Sequence, residues 1–586
     1  MRKLLVYLKD YKKECVLAPL FKMLEASFEL IVPLVCASII DVGIANSDQP
    51  YIYKMCLVLI GLALVGLASS ITAQFFAAKA AVGFATQLRH ALFAHIQRFS
   101  FTEIDTLGTS TMITRMTSDV NQAQTGVNMV LRLFLRSPFV VFGAMLMAFT
   151  IDVRSALIFV VAILLLFMVV FSITLVNIPM IRKVQQKLDQ VLNLTRENLL
   201  GVRVIRAFCK EEDEVRRFVA RNEALTKQQK KSGSISALMN PVTYVIINIA
   251  ILRLIWTGTL QVEAGILTQG QVIALYNYMS QILVELIKLA NLIITLNKAL
   301  ASGNRIADVF EMSSSMTYPE ELSQKSVDIL SKENGTDTVT FRHVSLNYHN
   351  AEEEALTDID FSAKKGEIIG IIGGTGSGKS SLVNMIPRYY DATGGEVLLH
   401  GIPVRDYPEK ELTRRIGMVL QKAVLFKGTI ASNLQLGRRD ATEAEMWDAI
   451  RVAQAEDIVK GKGGLRAKID QGGKNLSGGQ RQRMTIARAL IKKPEILILD
   501  DSASALDMAT DARLRAAIRE LPDKPTVFIV SQRTSAIKDA DQIIVLDDGR
   551  MVGRGTHDSL LTDCEVYREI YDSQYRSNTP KEAQHE

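Results

Sequence analysis

Apolar residues are distributed unevenly along this chain. Through the first 300 positions they gather in runs of about 20 or more, the length a helix needs to cross a bilayer. Six such runs are predicted, at about 15–40, 55–82, 128–150, 155–178, 238–259 and 268–297. Beyond them the runs shorten to five or six residues, set between turn-rich stretches, as buried strands alternating with helices would be. The pattern divides the chain into a helical membrane domain (1–301), a polar linker (302–335, with SSSMTYPEELSQKS and SKENGTD), a mixed α/β domain (336–575) and a polar tail (576–586).

An even number of spans returns the chain to the side on which it began. Arg2, Lys3, Lys9, Lys12 and Lys13 precede the first span, and the segments 83–127 and 179–237 are long, charged and rich in Lys and Arg. Cation-rich segments stay on the cytoplasmic side, so these three and the α/β domain are expected inside and the short connections near 41–54, 151–154 and 260–267 outside. No cleavable leader is expected, because MRKLLVYLKDYKKE is too polar to begin one. The amphipathic pattern continues past the membrane, so the spans are expected to project into the cytoplasm. Their tips, Phe101 to Met116 and Glu197 to Phe208, combine turn signals with apolar faces suited to docking on another domain.

Charges inside the spans are costly in hydrocarbon. Lys22, Glu25 and Glu29 share one face of the first span by their i, i+3, i+7 spacing. Two readings stand side by side: an internal Lys-Glu pair or snorkelling near the interface, or Glu25 and Glu29 lining a substrate cavity that favours cationic or polar cargo. Arg253, and Glu285 with Lys288, are open to the same pair of readings, whereas Arg132 and Arg136 read as anchors near the inner end of the third span.

Composition narrows the picture without changing it. A chain of 586 residues exceeds one core, and its net charge of +6 is small for that length. No basic tract alternates with aromatics as a nucleic-acid groove would, so no nucleic-acid partner is expected. Cys15, Cys36, Cys56, Cys209 and Cys564 are scattered, odd in number and without paired spacing, which indicates neither a disulfide framework nor a zinc site.

The candidate chemistry lies in the second half. Gly373-Gly374-Thr375-Gly376-Ser377-Gly378-Lys379-Ser380-Ser381 fits the phosphate-binding pattern G-x-x-x-x-G-K-[ST] and follows an apolar run that reads as a buried strand. Glycines let successive N–H groups point inward and the following helix adds its positive end, so a nucleotide phosphate is the natural occupant. Lys379 would reach the β/γ-phosphates and the Ser380 hydroxyl Mg²⁺. Ile496 to Asp501 reads as a second buried strand ending in carboxylates, with Asp500 placed to hold the metal.

Leu476 to Gln480 reads LSGGQ, about 20 residues upstream of that strand. A P-loop followed by LSGGQ resembles the ATP-binding cassette (ABC) exporters, as a half-transporter with six spans and one nucleotide-binding domain, and the likeness extends over nearly the whole chain. The resemblance implies ATP and Mg²⁺ as ligands, Tyr348 as the aromatic stacking on adenine, Gln421 as the glutamine reaching metal and water, and Ser504 to Asp507 as the loop joining two domains. It also implies two domains facing head to tail, so that Ser477, Gly478, Gly479 and Gln480 complete a nucleotide site on a second chain, with the long helical hairpins swapped between partners.

Two positions depart from the family pattern. Where a glutamate should position the attacking water stands Asp501, one methylene shorter, and where a histidine should contact the γ-phosphate stands Gln532. Both lie in the catalytic set, while the P-loop, Asp500, Gln421 and LSGGQ are whole. This resembles the degenerate-site subunit of bacterial heterodimeric multidrug exporters: a plasma-membrane pump for amphiphilic compounds, whose non-identical partner half carries the competent site. A peptide, lipid or haem exporter, and a nucleotide-binding regulatory half that moves nothing, are the alternatives.

Overall fold

The computed structural model describes residues 2–331, 337–349 and 351–575. The chain forms two compact units, Met1–Gln97 with Thr109–Met312, and Arg98–Gly108 with Ser313–Glu586.

The first unit holds six helices long and apolar enough to cross a membrane: Lys3–Ile44, Gln49–Ile96, Thr109–Ile151, Val153–Leu200, Glu211–Glu263 and Gln269–Glu311. Each covers one predicted run and extends beyond it, the last beginning one residue later than predicted. Gln49–Ile96 and Val153–Leu200 have 48 residues apiece, which at 1.5 Å per residue is about 72 Å, more than twice a hydrocarbon core of about 30 Å. The last helix runs to Glu311 before Met312 turns extended, so the stretch read as linker from 302 is helical in its first part. A further short helix, Gln324–Ser331, lies inside the same stretch.

Leu57, Leu64, Ile71 and Phe75 are all exposed, while Ala144, Ala148 and Ala156 are fully buried. Small residues let helices approach where no hydrophobic effect drives them together. Gly126 and Gly143 are the clearest cases: a Cβ on either would lie 2.2 Å from Ala299 Cβ or 2.4 Å from Leu30 Cδ1.

Several charged positions inside the spans are paired. Lys22 Nζ meets Glu25 at 2.5 Å and donates to Ser70 Oγ at 3.0 Å. Arg136, read as an anchor near a span end, is buried within the protein and bridges Glu29 (2.6 Å) and Glu285 (2.5 Å). Glu285 also accepts from Ser137 Oγ (2.8 Å) and Lys288 Nζ (2.8 Å). A turn at Phe134–Leu135 separates the helices Val120–Leu133 and Arg136–Ile151, one step before Arg136. Glu25 is thereby neutralised by Lys22, and Glu29 keeps a partly exposed side chain. Arg253 is exposed.

Among its described residues the second unit has twelve strands: β1 (Val339–Leu346), β2 (Leu356–Ala363), β3 (Ile368–Gly373), β4 (Gly394–Leu399), β5 (Ile402–Pro403), β6 (Ile416–Val419), β7 (Gly428–Thr429), β8 (Lys468–Ile469), β9 (Ile496–Asp500), β10 (Thr526–Val530), β11 (Gln542–Asp547) and β12 (Arg550–Gly555). One sheet has the order β2-β1-β4-β5 and is antiparallel. The main sheet has the order β12-β11-β3-β10-β9-β6, with β11, β3, β10, β9 and β6 parallel. Strands β3, β9 and β10 are buried along their whole length, which is why they read as near-continuous apolar runs instead of alternating ones.

Candidate nucleotide site

Register assembles the site. Val530 pairs with Ile371 of β3 and with Asp500 of β9, and Val419 of β6 pairs with Leu499. Four parallel strands therefore end side by side, and their carboxyl ends release the P-loop (β3), Gln532 (β10), Asp500 and Asp501 (β9) and Gln421 (β6). Ligands of open α/β sheets bind at such an edge. A cavity of about 360 Å³ lies there, walled by Thr375, Gly376, Gly378 and Lys379 on one side, by Gln421, Asp500, Asp501 and Gln532 on another, and by Tyr348 with Ser380 and Ser381.

The P-loop has the shape that its glycines require. Gly376 and Gly378 have φ of 88° and 90°, in the left-handed region. A Cβ at Gly378 would lie 2.7 Å from Ala355 O, and one at Gly373 would lie 2.1 Å from Leu546 O. Gly374 and Gly376 instead face open space and are exposed, so the backbone of Gly374 to Gly376 is what a phosphate would meet. Ser377 Oγ ties the loop by donating to Gly374 O at 2.9 Å. Lys379 is buried and donates to Gly373 O (3.0 Å), Ser377 Oγ (3.2 Å) and Gly374 O. Burial lowers its pKa, opposed by the neighbouring carboxylates of Asp501 and Asp500. An ammonium held this way is preformed for anion binding.

The metal candidates also converge. Ser380 Oγ donates to Asp500 Oδ1 at 3.0 Å, and Asp500 is almost wholly buried. Burial, together with the adjacent Asp501, raises the Asp500 pKa, while Ser380 and Lys379 oppose the rise. A buried carboxylate beside a hydroxyl is a hard-oxygen set, and a divalent cation would relieve the crowding of negative charge. Ser380, Asp500 and Gln421 thus fit Mg²⁺, which when bound would neutralise charge on the terminal phosphates.

Asp501 has φ of 45°, donates its N–H to Val530 O (3.0 Å) and accepts from Gln421 Nε2 at 3.4 Å. The main chain of Gln532 is fixed by Gln574, whose Nε2 donates to Gln532 O at 2.7 Å, while its side chain is exposed at the cavity rim. Tyr348 lines the cavity, donates to Ser381 Oγ at 2.9 Å and meets the Tyr390 ring edge-on. Asp507 caps the helix Met508–Arg519 by accepting from Thr510 N at 2.9 Å.

The signature residues lie apart from this cavity. Ser477 and Gln480 form a reciprocal capping box at the start of the helix Gly478–Leu490, and Ser477 and Gly478 are exposed. Gly479 backs onto the loop before Asp507, since a Cβ there would lie 2.8 Å from Ala505 O. An exposed helix N-terminus presents N–H groups to an incoming anion.

Sequence reasoning missed two residues of the surroundings. Tyr390, against Tyr348, follows the P-loop helix in the tract Arg388-Tyr389-Tyr390-Asp391, and that aromatic pair was the available signal. Glu103 is buried under Ser100 and Ser315, and only a capping-box pattern hinted at it.

Helical membrane spans followed by a P-loop domain with a preformed phosphate cradle define a membrane-bound nucleotide-hydrolysing transporter. Residues 15–286 match the ABC transporter transmembrane region and residues 356–504 the ABC transporter domain. The chain is 37% identical to the ABC transporter ATP-binding protein YfiB of Bacillus subtilis, itself uncharacterized, over 98% of this chain and 99% of that protein. It is 30% identical to the ATP-dependent lipid A-core flippase of Chromobacterium violaceum, over 98% and 97%. A bacterial Atm1-family ABC exporter solved with ATP bound has the same fold, with a TM-score of 0.78 and 22% identity over 98% of this chain and 99% of that one. The chain belongs to the ABC transporters, as a half-transporter that joins a six-span membrane domain to one ABC ATPase domain.

Proposed function

We propose that this chain is one half of a heterodimeric, ATP-driven exporter of amphiphilic compounds, in which its own P-loop clamps ATP and hydrolyses it poorly. The observation that carries the reading is the company kept by Asp501 and Gln532. Both line one cavity with an intact P-loop and Asp500. Binding residues are therefore complete where the two residues that assist hydrolysis are altered. Asp501 keeps a carboxylate on a stem one methylene shorter than glutamate, and general-base contacts need about 3 Å. Gln532 can hydrogen-bond but carries no positive charge.

The outward-facing Ser477 to Gln480 supports a second part of the reading, that they complete the competent site of a non-identical partner. The short helix Val202–Ala207, which buries no residue within this chain, supports docking of that tip on the partner. Closure of the paired domains on ATP would then turn the spans outward, with N-terminus and ATPase domain in the cytoplasm. Cargo identity is carried least by the site. The lipid A-core flippase among the relatives is consistent with an amphiphile, and the partly exposed Glu29 is the cavity candidate that remains once Glu25 is paired with Lys22.

The test is to copurify the chain with its partner and measure ATPase activity and ATP-dependent cargo uptake in proteoliposomes, for wild type and for Asp501→Glu with Gln532→His. The reading expects uptake, and a changed ATPase rate in the double variant. An unchanged rate and inhibition pattern would refute the two-site picture, and ATPase activity without uptake of any amphiphile would favour a regulatory half.

A further inference from the structure

The wall of the nucleotide cavity is continuous with a segment that the chain borrows from between two membrane helices. The chain leaves the membrane unit at Gln97 and returns to it at Thr109. The helix between, Phe101–Leu107, packs with the ATPase unit. Phe101 stacks on Tyr389 with ring centroids 4.4 Å apart at 26°. Asp105 Oδ2 accepts from Tyr390 OH at 2.6 Å. The Tyr390 ring meets Tyr348 edge-on, centroids 4.9 Å apart at 89°, and Tyr348 OH donates to Ser381 on the P-loop helix at 2.9 Å. Asp105, Tyr390, Tyr348 and Ser381 thus form an unbroken line of contacts, and Asp105, Tyr348 and Tyr390 also share a cavity of about 450 Å³.

Each member is braced. Arg388, buried and with φ of 56°, fixes the backbone entering Tyr389 and Tyr390. Its guanidinium donates to Asp391 (2.7 and 2.9 Å) and to Thr317 O (3.0 Å), and lies over the Tyr318 ring at 4.6 Å. On the far side of the helix, Glu103 accepts from Ser315 N and Ser100 N, both at 3.0 Å. Burial and the nearby Asp105 carboxylate push the Tyr390 phenol far above its ordinary range, so it remains a donor at any physiological pH. Edge-to-face aromatic contact fixes a ring's tilt as well as its position.

We propose that Tyr390 is a positioning residue for the adenine base at this P-loop. Held by Asp105, it sets the tilt of the Tyr348 ring, so that the helix Phe101–Leu107 and base occupancy of this site constrain one another. The proposal rests on the reading of this P-loop as an ATP clamp with Tyr348 against the base, and it assigns no chemical step to Tyr390.

The experiment compares Mg²⁺-ATP with Mg²⁺-tripolyphosphate, which has the phosphates without the base, on the full chain in lipid nanodiscs. Tyr390→Phe removes only the hydrogen bond, Asp105→Asn weakens the same bond from the other side, and Tyr390→Leu removes the ring. The first two should each weaken ATP binding about two- to tenfold, the worth of one hydrogen bond, with their combination no worse than either alone. Tripolyphosphate affinity should not move. Backbone amide exchange in Phe101–Leu107 should slow on ATP in the wild type, and not in Tyr390→Leu or with tripolyphosphate. Equal losses for both ligands, additive losses, or unchanged ATP affinity would overturn the proposal. A wild type that binds tripolyphosphate but gains nothing from the base would overturn it too, while leaving the P-loop reading standing. A wild type that binds neither ligand would overturn both.

Discussion

Arg136→Met should be among the most destabilising single changes in the membrane unit. The guanidinium is 8% exposed and holds Glu285, 3% exposed, at 2.5 Å and Glu29, 40% exposed, at 2.6 Å. Methionine keeps most of the volume, so the cost is chiefly electrostatic. It leaves Glu285 buried with Lys288, itself 42% exposed, and Ser137 as counterweights. Breaking a buried pair from one side costs about 3–5 kcal/mol, because the stranded charge has no water to return to. Glu285→Gln in the same background removes that charge and should recover a large part of the loss, a coupling of at least about 1 kcal/mol. Glu29→Gln alone should cost about 1 kcal/mol or less, since its exposed carboxylate is solvated. The assay is thermal melting of the purified protein in detergent and in nanodiscs, for the singles and the double. An Arg136→Met protein as stable as wild type, or a double variant worse than the sum of its singles, would refute the buried-bridge argument.

Further outcomes follow from individual contacts. Gly378→Ala forces a Cβ to within 2.7 Å of Ala355 O at φ of 90°. Strain of about 1–3 kcal/mol in that loop should weaken ATP binding tenfold or more by equilibrium titration. Glu103 is buried, which alone would raise its pKa, but the hydrogen bonds from Ser100 and Ser315 outweigh this and hold it below its ordinary range. Its folded-state pKa is therefore depressed. Its contribution to stability is present above about pH 4.3, the unfolded glutamate value, and is lost as pH falls through the lower folded value. Melting curves between pH 3 and 6 should show this loss in wild type, and Glu103→Gln should flatten it.

What the sequence could reveal tracks how local the physics is. The P-loop strand, Asp500 and the strand before Gln532 were legible because near-continuous apolar runs signal a parallel sheet, and a glycine-rich turn after one signals a phosphate cradle. The six spans were legible as apolar runs. Their extensions were not, because helix outside the bilayer carries polar faces, and the same polarity made 302–311 read as linker. The burial and pairing of Arg136 were hidden for a different reason: its partners Glu29 and Glu285 lie far off in sequence. The same distance hid the Asp105–Tyr390 contact. The spacing of Lys22, Glu25 and Glu29 did place them on one face, but only the structure assigns Lys22 to Glu25 and Arg136 to Glu29.

The central claim, that this P-loop holds ATP without turning it over well, is tested most directly by identifying the nucleotide on each chain. A photoreactive ATP analogue labelled on its α-phosphate would be cross-linked to the assembled transporter during turnover, and the chains then separated. The account predicts that label on this chain remains mostly triphosphate while label on the partner is mostly diphosphate, and that Asp501→Glu with Gln532→His moves this chain toward diphosphate. Diphosphate accumulating on the wild-type chain as fast as on its partner would contradict it.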